Sequence, residues 1–148
     1  MEVEGRGKRP LRYCRTAQDG HTSSEQIVYQ TLANFARRHG STDDTGSATV
    51  DIGLSQLCSL LNTDHKNVKR LLASLQEKLT LEIVRQPDYR LAIPTRYRIY
   101  NPEQILERRR QAGMLWVIRT RAIRFVDIET VRRLMIDQRL DSQKPMGQ

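Results

Sequence analysis

The sequence predicts a mixed α+β fold in a single domain, and three observations carry that expectation. Apolar residues recur at helical spacing in several separate stretches, short runs of β-branched and aromatic residues lie between them, and turn-forming clusters separate the two kinds. The chain has 148 residues, within the roughly 100 to 200 of one domain. It is 38 % hydrophobic and 28 % charged, with a mean hydropathy of -0.62. No apolar run approaches the roughly 18 to 20 residues of a bilayer span. The basic start MEVEGRGKRPLRYCR lacks the apolar core of a secretory signal, so a cytoplasmic protein without membrane contact is expected. Cys14 lies in a polar stretch and Cys58 among leucines, a pattern of reduced thiols rather than a disulfide framework.

Charge narrows the partners. Twenty-five Lys and Arg against 17 Asp and Glu leave a net charge of +8, an excess that suits a polyanion. It is regional. Between residues 96 and 124, eight arginines less two glutamates leave +6, a density that favours a nucleic-acid partner over a solvated face that aids solubility.

Residues 1–21 are rich in Gly and Arg and show no period, so a flexible basic arm is expected. Thr22 and Glu25 have the spacing of a capping box, and Val28, Leu32 and Phe35 follow on one helical face until Gly40. Residues 41–47 are turn formers, and Ala48 to Ile52 reads as a short strand. Leu54, Leu57, Cys58 and Leu61 then mark a helix that Asn62-Thr63-Asp64 interrupts. Asn62 suits a left-handed helix exit and Asp64 suits the cap of the next helix. In that next helix Val68, Leu71, Leu72, Leu75 and Leu79 occupy about a 100° arc, with Lys66, Lys69, Arg70 and the small Ala73 opposite. LEIVR (81–85) and TRYRIY (95–100) read as two strands of a hairpin around QPDYRLAIP.

Helix, short strand, helix, tight turn, helix and hairpin over residues 22–100 resemble a winged helix-turn-helix DNA-binding domain of the bacterial regulator or replication-initiator type. The segments that carry the likeness are LSQLCSLLNTDHKNVKRLLASLQEKL and LEIVR. The resemblance implies a recognition helix at about 64–79 in the major groove and a wing at 86–94. His65, Lys66, Asn67, Lys69 and Arg70 would take the groove-facing places, with Arg90 and Tyr89 at the wing tip. Thr80 stands where such domains place a glycine, and the wing is long for a tight hairpin.

Residues 101–140 form a basic extension. Asn101, Pro102 and Glu103 start a helix that Gly113 stops, and Arg108, Arg109 and Arg110 in its last turn suit either the helix dipole or phosphates. A second hairpin follows, in which the Trp116/Ile118 and Ile123/Phe125 faces are expected on the core and Arg119 and Arg121 at the tip. Asp127 caps a last helix whose stripe Ile128, Val131 and Met135 needs cover, from the domain itself or from the same helix of a second copy. Residues 141–148 read as a tail.

The sequence holds no phosphate-cradling glycine loop, nucleophile elbow or zinc-protease motif, and its Cys and His residues are too far apart for metal pairs. No enzyme activity, cofactor, metal or small-molecule ligand is expected. The expected function is sequence-specific binding of double-stranded DNA in transcriptional regulation or replication initiation. Phosphate contacts would come from Arg90, Arg96, Arg98, Arg108, Arg109, Arg110, Arg119 and Arg121. The alternatives are a winged-helix protein-interaction module and an RNA-binding protein. The latter would want stacking aromatics, and the one candidate pair, Tyr97 and Tyr100, is three apart and so on opposite faces of a regular strand.

Overall fold

The computed structural model describes residues 10–142. These residues form five α-helices, one short 3-10 helix (Ala17–Gly20) and seven strands in two antiparallel sheets. The helices are α1 (Ser23–His39), α2 (Leu54–Leu61), α3 (His65–Glu77), α4 (Pro102–Gln111) and α5 (Ile128–Ser142). The strands are β1 (Leu11–Tyr13), β2 (Ser41–Thr42), β3 (Ala48–Ile52), β4 (Leu81–Arg85), β5 (Thr95–Ile99), β6 (Trp116–Arg119) and β7 (Ile123–Val126).

The first sheet runs β2-β3-β5-β4 and the second β1-β6-β7. Helix α1, strand β3, the α2–α3 pair and the β4–β5 hairpin make a winged helix-turn-helix. The local signals act where the sequence places them. Thr22 and Glu25 close the capping box of α1 at 2.9 and 3.2 Å. Asn62 ends α2 in the left-handed conformation with φ 53°. The Asp64 carboxylate accepts from the Asn67 amide at 2.7 Å and starts α3. Gly40 ends α1 where a side chain cannot fit, because a Cβ there would stand 2.3 Å from the Thr49 carbonyl oxygen.

The core lies between α1, α2, α3 and the inner face of the first sheet. Val28, Leu32, Leu57, Val68, Leu75, Leu81 and Ile105 are all at most 2 % exposed. Strand β5 alternates Thr95, Tyr97 and Ile99 inward with Arg96 and Arg98 outward, the period-2 pattern of a sheet covered on one side.

Three expectations need correction. Residues 10–21 are not a flexible arm: β1 pairs with β6, and Cys14, Ala17, Asp19 and His21 are buried. A three-residue strand has no readable period, and its pairing partner is about a hundred residues away. Residues 1–9 lie outside the described residues. In the second hairpin the face against the body is Val117 with Phe125, and Trp116 and Ile118 lie half-buried on the other side with Tyr13. Helix α5 runs to Ser142, past the expected start of the tail, and residues 143–148 lie outside the described residues.

Candidate nucleic-acid interface

Helix α3 turns one face inward and one outward. Val68, Leu71, Leu72 and Leu75 are buried, and His65, Lys66, Lys69, Arg70 and Ala73 are exposed. Asn67 is half-buried between the two. Its amide donates to Thr63 Oγ1 at 3.0 Å and its carbonyl accepts from Arg70 Nη2 at 2.6 Å, which steers the Arg70 guanidinium along the helix. Among the described residues, Lys66, Lys69 and Arg70 form no ion pair. The face is therefore uncompensated over its first two turns, and Glu77 is its acid at the far end.

The wing is closed rather than open. An isolated bridge joins Asp88 and Ile93, with both backbone hydrogen bonds at 2.9 Å, and Asp88 Oδ1 accepts the amides of Arg90 and Leu91. The tip presents Tyr89 at 83 % and Leu91 at 68 % exposure beside Arg90. The bridge and the doubly used carboxylate close a wing that is long for a tight hairpin.

Arg96 and Arg98 are not free cations. Arg96 makes a two-pronged contact with Asp51 at 2.7 and 3.0 Å, and Arg85 joins the same carboxylate at 3.2 Å. Arg98 reaches Glu82 at 3.5 Å. Both acids sit opposite their arginines in the strand register, so the outer face of the sheet is a ladder of cross-strand pairs. The arginine hydrogen bond holds the Asp51 carboxyl below its usual pKa despite some burial.

The run Arg108-Arg109-Arg110 divides three ways, because successive helical residues point about 100° apart. Arg109 is 1 % exposed and is a core residue, which overturns its expected phosphate contact. Its guanidinium donates to the Lys78 and Ala17 carbonyls, each at 2.9 Å, and lies 5.1 Å from the Phe125 ring centre. Burial draws its pKa down to about 10, which leaves it charged at neutral pH. Arg108 stacks over Tyr100 at 4.0 Å and donates to the Leu79 carbonyl at 2.6 Å. It too serves the end of α3, where Leu79 takes the left-handed conformation with φ 63°, one residue before Thr80 at the expected glycine position. Arg110 is exposed and pairs with Glu107. Arg119 and Arg121 are exposed at the β6–β7 turn.

Sequence reading missed the polar cluster beneath these contacts. Glu25, 4 % exposed, meets Lys78 Nζ at 2.6 Å and also accepts from the Ser74 hydroxyl. Burial alone would raise the Glu25 pKa, but the hydrogen bonds from Lys78 and Ser74 hold it low. His21 lies alongside. Its Nδ1–H donates to Gln26 Oε1 at 2.7 Å, and Nε2 accepts from the Thr80 hydroxyl at 2.6 Å and from Arg109 Nη2 at 3.1 Å. Burial pushes the imidazole down to about 4, and Arg109 adds to the effect against the Gln26 hydrogen bond.

The aromatic pair expected of an RNA reader does not form. Tyr97 is 3 % exposed in the core, whereas Tyr100 lies under Arg108 and donates its hydroxyl to Glu82. Among the described residues no group of three His, Cys, Asp or Glu is placed to hold a metal ion, and no helix is long and apolar enough to cross a membrane.

No protein-family model and no curated protein matches this sequence. Among solved structures the chain is similar to a Rep protein in a Rep–DNA complex, with a TM-score of 0.47 and 16 % identity over 76 % of this chain and 95 % of that one. It is also similar to a possible transcriptional regulator from Methanosarcina mazei, with a TM-score of 0.46 and 18 % identity over 86 % and 82 %. A third is an MDR initiator, with a TM-score of 0.45 and 16 % identity over 76 % and 96 %. Likenesses this loose carry no functional argument.

Proposed function

We propose that the protein binds double-stranded DNA with sequence preference, as a transcriptional regulator or a replication-initiation protein. The observation that carries this reading is the outer face of α3. Its 13 residues span about 20 Å at 1.5 Å per residue, enough to lie in a major groove. Lys66, Lys69 and Arg70 are exposed and unneutralised among the described residues, and Ala73 lets the helix backbone approach base edges. Arg90 at the wing tip extends the contact to the backbone, with Tyr89 beside it. Arg96, Arg98 and Arg110 are spent on acidic partners, and Arg108 and Arg109 on carbonyls, so none of the five belongs to the proposed surface.

A homodimer is part of this proposal. Helix α5 buries Val131 but leaves Ile128 and Met135 of the same stripe, and Ile136 beside them, exposed. A two-fold pair would present two α3 helices to a palindromic site. Sedimentation equilibrium of the full chain, with Ile128→Ser/Ile136→Ser as control, tests the dimer.

The reading as a whole is tested by fluorescence anisotropy on random-sequence duplex DNA, duplex RNA and single strands across a salt series. Duplex DNA should bind best and with a steep salt slope. A preference for RNA, or no binding near physiological salt, removes the reading in favour of an RNA-binding protein or a protein-interaction module respectively.

A further inference from the structure

Beside α3 lies a cleft of about 600 Å³ that the contacts proposed so far do not use. One wall is the flank of α3, with Arg70, Ser74 and Glu77; the other is the β6–β7 hairpin, with Arg121, Arg124 and Phe125. The hairpin is anchored along its length. Strand β6 pairs with β1, the Arg119 amide donates to the Pro10 carbonyl at 2.6 Å, and Phe125 packs against Gly20, where a Cβ would stand 2.7 Å from the ring. The side chains of Arg119, Thr120, Arg121, Ala122 and Arg124 are nonetheless all exposed.

We propose that this cleft takes one sugar-phosphate strand of the bound duplex, with Arg121 and Arg124 as its phosphate ligands and the hairpin as a second wing. The inference rests on the duplex-DNA reading of α3. Charge complementarity names the occupant. Arg121 and Arg124 form no ion pair among the described residues, and neither does Arg70 on the opposite wall. Of the two acids at the cleft, Glu25 is neutralised by Lys78, which leaves Glu77. Leu71, Met114 and Ile123 add apolar surface for deoxyribose rings. A small polar ligand fits less well. The buried side-chain polar atoms without partners among the described residues are Arg85 Nε and Arg98 Nε, neither of them in the cleft. The arginines are exposed, and a polyanion held there would continue past Arg70 along the Lys66 and Lys69 face.

The test compares the full chain with Arg121→Ala/Arg124→Ala and with Lys66→Ala/Lys69→Ala, measuring duplex affinity across a salt series. All four positions are exposed, so thermal stability should not change. Loss of two phosphate contacts lowers the salt slope by about 1.8, and for the hairpin variant this should come with weaker binding and an unchanged sequence preference. As a second readout, Ala122→Cys carrying a photoactivated crosslinker should give an adduct with one DNA strand. An unaltered slope in the hairpin variant, while the Lys66/Lys69 variant loses affinity, overturns the second wing alone. Absence of duplex binding by the unsubstituted chain overturns both readings.

Discussion

The guanidinium of Arg109 donates from Nε to the backbone carbonyl of Lys78 at 2.9 Å, across 31 positions of sequence, and so the C-terminal extension caps the end of α3. The same side chain reaches Ala17 on the N-terminal segment. One buried cation thus ties three parts of the chain to the helix that presents the candidate DNA-binding face. Arg109→Ala would leave two buried carbonyls without donors and should cost about 3 kcal/mol or more. Lysine cannot reproduce the fork and should not rescue. Arg110→Ala, which removes an exposed pair, should leave stability nearly unchanged. Chemical denaturation of the three variants checks the contrast.

The Glu25–Lys78 pair is a second buried tie, between the start of α1 and the end of α3. Removing one partner leaves the other charge buried, so Lys78→Met should cost about 3 to 5 kcal/mol. The double variant Glu25→Leu/Lys78→Met should recover part of that loss. A simple sum of the two single losses would show that the groups do not act as a pair.

Stability should fall on acidification below neutrality because of His21. Its pKa drops from 6.5 to about 4 on folding, so the unfolded chain binds the proton more readily between those values. The contribution is complete above pH 6.5 and is lost as pH falls toward 4, amounting to about 3 kcal/mol at roughly 1.36 kcal/mol per pKa unit. Arg109, Lys78 and Glu25 are the charged groups that act on the ring. Urea midpoints from pH 7 to pH 4 should decline more steeply for the natural chain than for His21→Gln, and parallel curves would exclude His21 as the source.

At the turn between α2 and α3, Asn62 is exposed with φ 53°. Asn62→Gly should leave stability nearly unchanged, and Asn62→Val should cost about 1 to 2 kcal/mol for placing a branched side chain in the left-handed region. Thermal melts of both variants provide the comparison.

These residues also show what was legible in the sequence. Thr22, Asn62, Asp64, Asn101 and Asp127 act within three or four positions of themselves, so their capping and turn roles can be read locally. The two faces of α3 follow from its period. Contacts between distant segments could not be read that way. Arg96 and Arg98 resemble free cations until the strand register sets them against Asp51 and Glu82. Arg109 did carry a signal, since it stands four residues after Ile105 and shares that residue's buried face. The length of the arginine run concealed it. The His21–Thr80–Arg109 cluster joins three regions and leaves no local pattern.

The outer face of α3 as the DNA-binding surface is tested most directly at Arg70. On a duplex site selected by the full chain, Arg70→Ala should lose about 1 to 3 kcal/mol and relax the preference at one base-pair position, with thermal stability unchanged. Unaltered affinity and preference for Arg70→Ala, together with an unaltered salt slope for Lys66→Ala/Lys69→Ala, would move DNA recognition away from this helix.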